Sequence, residues 1–280
     1  MFFSMFKDSR FSEELTVALE AAEKAGEIID EYAAGKAKVE GQKSSGNDIF
    51  TEADLKCQEV IVETVTEAFP EDSFLAEEDL DYNEENKDGR KWIVDPIDGT
   101  SNFQRGLEYF CTSIAFEVDG DKKLGVVYSP EKGISKLFFA LKNKGAYRAD
   151  SPSDFDSMEG IEVSEVSEFD ESLVFSRISN FEGEHENQKH LWSSLAEKDF
   201  DLRYMSAGAL ELCRVAEGVG EAFMSHTEST WDLAAGELIV REAGGKVEVE
   251  VSSVSGKQKI LASNGKVHGL IAELSEKFYE

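Results

Sequence analysis

Within one short stretch, Trp92-Ile93-Val94-Asp95-Pro96-Ile97-Asp98-Gly99-Thr100, the chain places two carboxylates, a glycine and a hydroxyl. Trp92 to Val94 reads as a buried strand. Pro96 fixes its own φ and lacks an N–H, so the strand is expected to stop and the chain to turn after Asp95. Asp95 and Asp98 then flank a rigid corner, and Gly99 allows a ligand to approach the backbone closely. Two carboxylates and a main-chain carbonyl make a hard-oxygen site of the kind Mg²⁺ prefers, with water or phosphate completing the octahedron. If a helix begins near Ser101, the amides of Gly99 and Thr100 point at whatever sits on the metal, a geometry suited to phosphate. The bland alternative is an Asp-Pro turn followed by an Asp-Gly turn, both ordinary loop signals.

Two further acidic stations lie elsewhere. Glu77-Glu78 follows the apolar run Phe74-Leu75-Ala76, and Asp232 stands in Trp231-Asp232-Leu233, which opens a late helix. Alone, the glutamate pair reads as a solvated loop, and Asp232 as a helix N-terminal acid favoured by the dipole.

Positioning these residues falls to an alternation of elements. Ser12-Glu13-Glu14 is a helix start, and Leu15, Ala18, Leu19, Ala22, Ala25, Ile28 and Tyr32 keep one apolar face until Gly35. A polar loop from Lys36 to Asn47 follows, then a helix from near Thr51 to a stop at Pro70. Strands are predicted at 73–76, 92–94, 112–118, 124–128, 137–139 and 146–147, with Asp119-Gly120-Asp121 as a hairpin turn. A loop over 150–159 divides the chain into an N-terminal half, 1–150, carrying most of the acidic stations, and a C-terminal half, 151–280, the two forming one compact unit. The second half alternates: strand at 173–175, helix over 185–197, strand 202–205, helix 209–217, strand 222–224, helix 231–243, strands 246–251 and 259–262, and a closing helix from Val267. This is a layered α/β architecture with a mixed sheet.

Composition bounds the rest. The chain of 280 residues is 41% hydrophobic and 31% charged, with 29 basic and 58 acidic residues and a net charge of −29. Such a charge repels nucleic acid and anionic membranes. The spread of acid fits the solvated surface of a halophile's protein, with an ordinary acidic cytosolic protein as the alternative. The apolar opening, Met1 to Phe6, is too short for a signal sequence, and the three dispersed cysteines argue for free thiols in a reducing cytoplasm.

Taken together, Asp54, Glu77-Glu78, the Asp95 to Thr100 turn, and Trp231-Asp232 with Gly244-Gly245 resemble the inositol monophosphatase family, part of a superfamily of magnesium-dependent, lithium-sensitive phosphatases. Lys43-Ser44-Ser45 and Thr51-x-x-Asp54 are similar to the family's mobile loop. The resemblance runs from the first helix to the end of the chain. It implies an α/β (α+β) fold, a layered α-β-α-β-α sandwich of the sugar-phosphatase type, and a homodimer. It implies two or three Mg²⁺ ions. Glu77, Asp95 and the Ile97 carbonyl would hold one. Asp95, Asp98 and Asp232 would hold a second, with Asp95 bridging, and a weaker third would share Glu77. Glu78 would stand behind these ligands. Thr100 bonded to Asp54 would orient an attacking water and accept its proton, so that a phosphate monoester is hydrolysed without a phosphoenzyme.

Departures from the animal enzymes bear on substrate. Ser225 stands where they carry an acid that grips inositol hydroxyls, the Gly-Thr/Ser-Ala turn reads Ser206-Ala207-Gly208, and Arg105 and Glu108 replace His-x-x-Pro. The chain therefore resembles archaeal and bacterial relatives, several of which also accept fructose 1,6-bisphosphate. Asp98, Gly99, Thr100, Arg203, Ala207 and His226 are the expected substrate contacts. Arg203 and His226 would hold a sugar oxygen or second phosphate, although Arg203 also reads as a surface ion pair and His226 as a loop residue. His185, His190 and His268 read as surface positions. The alternatives are a fructose bisphosphatase, a 3′(2′),5′-bisphosphate nucleotidase, and a non-catalytic phosphate or Mg²⁺ sensor. The absence of Gly-x-Gly-x-x-Gly or Gly-Lys-Ser after a strand excludes a dinucleotide or P-loop site.

Overall fold

The computed structural model describes residues 6, 9–32, 39–42, 49–78, 89–130, 136–177, 200–251 and 257–276. Lys43, the helix expected over 185–197, His185 and His190 lie outside them. Two long helices come first, α1 (Ser12–Tyr32) and α2 (Glu52–Ala68), with a small hairpin of β1 (Val39–Gln42) and β2 (Ile49–Thr51) between them. Then follow β3 (Ser73–Ala76), β4 (Arg90–Asp98), the short α3 (Thr100–Arg105), β5 (Cys111–Val118), β6 (Asp121–Ser129), β7 (Lys136–Leu141), β8 (Ala146–Ala149) and β9 (Glu159–Ile161). The second half holds β10 (Leu173–Ser176), β11 (Asp201–Arg203), α4 (Gly208–Ala216), β12 (Ala222–Glu228), α5 (Thr230–Glu242), β13 (Lys246–Val251), β14 (Gln258–Ser263) and α6 (His268–Glu276).

Among the described residues, β3 to β9 form one sheet in sequence order, and a second runs β11-β10-β12-β14-β13. Only β3 pairs parallel to its neighbour in the first sheet; the rest is an antiparallel meander. Its last strand, β9, follows the loop expected to divide the chain, so the first sheet reaches Ile161 rather than ending near 150.

Three apolar layers cover the faces of these sheets. Leu15, Ala18, Ala22 and Ile29 of α1 and Ile61 and Val65 of α2 pack on Trp92, Ile114, Phe116, Val126 and Phe139. Leu210 and Leu212 of α4 and Leu233 and Ile239 of α5 fill the space between the sheets, against Ile93, Val127, Phe138 and Phe223. Ile271 and Leu274 of α6 cover Val174, Met224 and Leu261 on the far side. The order is the layered α-β-α-β-α sandwich that the sequence implied. Close contact between the halves depends on Gly125 in β6. A Cβ there would lie 2.6 Å from the Ala235 carbonyl oxygen of α5, so only a bare backbone lets that helix seat. No helix among the described residues is long and apolar enough to cross a membrane.

Pro96 does not end its strand. β4 continues through it to Asp98, against the expected turn after Asp95. The register explains why. Asp95 pairs with Ser113 and Asp98 with Cys111, so β4 carries one residue more than β5 there. A proline is tolerated in such a bulge because the ladder is already broken. The Pro96 carbonyl keeps a partner, accepting from the Thr112 hydroxyl at 2.9 Å.

Candidate active site

Alternation along a regular strand would send Asp95 and Asp98 to opposite faces. The extra residue in β4 cancels that offset and lets both point to one place. Asp232 arrives from α5, where it sits three residues after the cap Ser229 and accepts the Ser229 N–H at 2.8 Å. Asp98 accepts the Ala209 N–H at the start of α4, at 2.7 Å. One carboxylate oxygen from each of Asp95, Asp98 and Asp232 lies within 4.8 Å of the others. Three carboxylates from two elements, β4 and α5, thus converge on a single acidic point.

Its electrostatics are unfavourable without a cation. Burial, then the charges of Glu77, Asp98 and Asp232, raise the Asp95 carboxyl well above its usual range. Burial and the Glu228 charge do the same to Asp232. Asp98 is pushed by burial up to about 7, against the opposing pull of Arg177 and the Ala209 amide. Asp95 Oδ1 is buried without a hydrogen-bond partner. Crowded carboxylates with an orphaned oxygen fit a small, hard divalent cation.

Glu77 and Glu78 are held beside this point by a contact that sequence reading missed. The side chain of Gln58 on α2 donates to the Glu78 carbonyl at 2.7 Å and accepts the Glu78 N–H at 2.9 Å. The Glu77 N–H reaches the Val94 carbonyl at 3.1 Å, which extends the β3–β4 ladder by one step. Glu78 is buried and Glu77 partly so. Nothing in the local sequence marks Gln58 as special, because its partner lies twenty residues on.

Thr100 and Asp54 are brought together as expected, the hydroxyl 3.2 Å from Asp54 Oδ1. The same hydroxyl lies 3.0 Å from the Ile97 carbonyl and can donate to only one of them at a time. Asp54 Oδ2 accepts the Thr51 N–H at 2.8 Å and its hydroxyl at 2.5 Å, a capping box at the start of α2. Burial lifts the Asp54 carboxyl to about 7, the Thr51 bonds resist, and the charges of Glu77 and Glu78 add to the rise.

Gly99 adopts φ +91° between β4 and α3, and a Cβ there would meet the Tyr109 carbonyl at 3.0 Å and Ala207 Cβ at 3.2 Å. Ala207 is wholly buried and packs under Gly99. Around that contact, the Asn102 side chain donates to the carbonyls of Tyr109 and Met205, at 2.8 and 2.7 Å. Glu211 accepts the Met205 N–H at 3.0 Å, with burial raising its carboxyl to about 8. The turn they secure carries Ser206 in the left-handed region, φ 60°.

Three expected positions sit differently. Arg203 points into solvent, 46% exposed, with its guanidinium 3.3 Å from Asp201, so it forms the surface ion pair. His226 is no loop residue but lies buried in β12. Alternation puts Phe223 on the face packed against α4 and α5, and Ala222 and Met224 on the α6 side; His226 follows the latter. Burial and the Lys259 charge lower its pKa to about 4. His268 is buried too, not at the surface, its Nδ1 2.8 Å from the Ser263 hydroxyl. The three cysteines are free and buried.

What the sequence did not single out is the wall beside Asp98 and Asp232. Arg177, just past β10, donates to Glu228 Oε2 at 2.7 Å, and the Ser225 hydroxyl donates to Glu228 Oε1. Their separation in sequence, with half the second sheet between, hid the grouping.

The family model described as the inositol monophosphatase family matches residues 11–279. The chain belongs to that family. Inositol monophosphatase 3 of Solanum lycopersicum is 36% identical over 245 residues, covering 83% of this chain and 84% of that protein. The Nus factor SuhB of Pasteurella multocida is 32% identical over 239 residues, with the same coverage. Among solved structures, the Thermotoga maritima IMPase superposes with a TM-score of 0.81 at 28% identity, over 95% of this chain and 98% of that one.

Proposed function

We propose that this family member is a magnesium-dependent phosphomonoesterase that hydrolyses inositol 1-phosphate and related sugar phosphates. The observation that carries the reading is the convergence of Asp95, Asp98 and Asp232 beside the Thr100–Asp54 pair, with Asp95 Oδ1 unsatisfied. Glu77, Asp95 and the Ile97 carbonyl would hold one Mg²⁺, Asp95, Asp98 and Asp232 a second, and Glu77 would share a third. Magnesium, when bound, neutralises phosphoryl oxygens and lowers the pKa of water.

The chain's own groups do the remainder. Asp54, with its pKa near 7, is a base matched to neutral pH, and Thr100 relays the proton to it while orienting water. The amides of Gly99 and Thr100, at the start of α3, would take phosphate oxygens. Ala207 keeps that backbone in place by packing beneath it. Glu78, clamped by Gln58, steadies the Glu77 main chain.

The test is phosphate release from inositol 1-phosphate, fructose 1,6-bisphosphate and adenosine 3′,5′-bisphosphate at equal concentration. Mg²⁺-dependent release from inositol 1-phosphate is expected, with Ca²⁺ unable to replace Mg²⁺ because its larger, looser coordination does not align in-line attack. No release from any of the three by folded protein overturns the reading. A second reading comes from the relatives named Nus factor: a non-catalytic protein that binds Mg²⁺ or phosphate. Mg²⁺-dependent thermal stabilisation without turnover would select it.

A further inference from the structure

The Ser225 position lacks the acid of the animal enzymes, yet its neighbourhood is not neutral. Glu228 comes three residues later in β12, beyond the irregularity in the β12–β14 register. It is fully buried, and a Cβ on Gly208 at the start of α4 would lie 3.5 Å from its Oε2. Both of its oxygens are engaged, one by Ser225 and one by Arg177. Fully buried and already holding one donor on each oxygen, this carboxylate is not presented to a sugar hydroxyl. Glu228 therefore serves as a mount, and the group it mounts is a cation.

Arg177 is placed to use that mount. It leaves β10 beside β12, its N–H 3.3 Å from the Met224 carbonyl. Its side chain is about a third exposed, and its guanidinium is anchored on the buried Glu228. Among the described residues, one of its five N–H donors meets Glu228. The charges acting on it include Asp232 and Asp98 as well as Glu228, which sets it against the carboxylate cluster. Arg203, the arginine expected to meet a second phosphate, is instead turned to Asp201 on the edge strand. A planar guanidinium fixed by one edge offers its other edge to a carboxylate or phosphate in bidentate fashion.

We propose that Arg177, mounted on Glu228, is the specificity-determining residue of this pocket and selects phosphate monoesters that carry a second anionic group. The proposal rests on the phosphatase reading and deepens it. A neutral polyol phosphate meets an arginine with no charge to answer, whereas a bisphosphate or a phosphorylated acid meets a charge-assisted pair.

The experiment compares steady-state kinetics on fructose 1,6-bisphosphate, 3-phosphoglycerate and inositol 1-phosphate. In Arg177→Gln, KM for at least one of the two dianionic-type substrates should rise roughly tenfold or more relative to inositol 1-phosphate, the size of a lost charged hydrogen bond. Arg177→Lys should recover part of that difference. Because Arg177→Gln leaves Glu228 buried without its cation, the paired variant Arg177→Met/Glu228→Gln removes both charges and should show the same contrast in a stably folded protein. Calorimetric titration of fructose 1,6-bisphosphate with Ca²⁺ present reads the contrast without turnover. An equal KM rise on all three substrates, or undiminished bisphosphate affinity in both variants, overturns the proposal and leaves the phosphatase reading standing. Absence of turnover by the wild-type protein on every substrate defeats the phosphatase reading instead, and the titration still decides the role of Arg177.

Discussion

The two ends of β4 carry buried charge in opposite ways. At the start, Arg90 donates to Asp72 at 2.6 and 2.9 Å and to Glu14 at 3.0 Å, and Trp92 Nε1 donates to Asp72 at 2.9 Å. The guanidinium lies 4.6 Å from the Phe116 ring centroid and 5.2 Å from that of Phe69. Every charge there has a partner within the fold. Five and eight residues along the same strand, Asp95 and Asp98 converge with Asp232, like charge against like, and Arg177 is tied to Glu228. One strand thus supports two uses of charge. A closed network locks α1 and the sheet together, while an open one crowds acids whose charged forms burial disfavours, a grouping that suits a cation.

Removing a carboxylate from the open end should produce the largest effect. Asp95→Asn is expected to reduce phosphate release to background at saturating Mg²⁺, while the melting temperature in EDTA holds or rises, since a neutral amide replaces a carboxyl that burial already disfavours. Substantial turnover, or a marked loss of metal-free stability, would place Asp95 in the same class as Asp72. The closed end should behave in reverse. Arg90→Met leaves Asp72 and Glu14 without their cation and should lower unfolding free energy by about 3–5 kcal/mol, with turnover per folded molecule retained. Denaturant unfolding alongside an active-fraction assay separates the two, and a stable but inactive variant would contradict the comparison.

The smallest effect tests a buried ionisable group outside both networks. His226 has its pKa lowered to about 4 from an ordinary 6.5, so the unfolded chain takes up the proton first. Its contribution to stability is fully present above pH 6.5 and is lost as pH falls through 4, by about 3 kcal/mol in all. Thermal unfolding of His226→Leu between pH 7 and 4 should fall less steeply than that of the wild type. Matching slopes would show that His226 protonates as easily folded as unfolded.

The comparison also marks how far sequence reading reached. Periodicity located the long helices and most strands, because each face must be apolar where it meets its layer, but it missed β9 and the β1–β2 hairpin, whose first strand lies inside the loop expected over 36–47. The acidic stations were legible because Asp95-Pro96-Ile97-Asp98-Gly99-Thr100 is contiguous and Asp54 and Asp232 each occupy a helix's first turn, where local rules act. Arg90 with Asp72 and Glu14, Gln58 with Glu78, and Arg177 with Glu228 were invisible for the opposite reason. Each joins segments that meet only after the sheets form, and none has a short-range signature. Arg203 takes the surface ion pair that its sequence also allowed, and His226 lies in a strand rather than a loop, because position near the site in sequence carries no information about which face of a strand each takes.

From the sequence alone came the alternation of elements and, through Asp54, Glu77-Glu78, Asp95 to Thr100 and Asp232 taken together, the family resemblance with its layered fold and its candidate metal ligands, since each station is a short contiguous pattern. Tertiary structure decided that Pro96 sits in a continuing strand, that a one-residue bulge turns Asp95 and Asp98 to the same side, and that Arg177 rather than Arg203 lies beside them. Those outcomes depend on strand register and on which side chains face one another across a sheet. Both are set by packing between distant segments, where a shift of a single residue exchanges one face for the other.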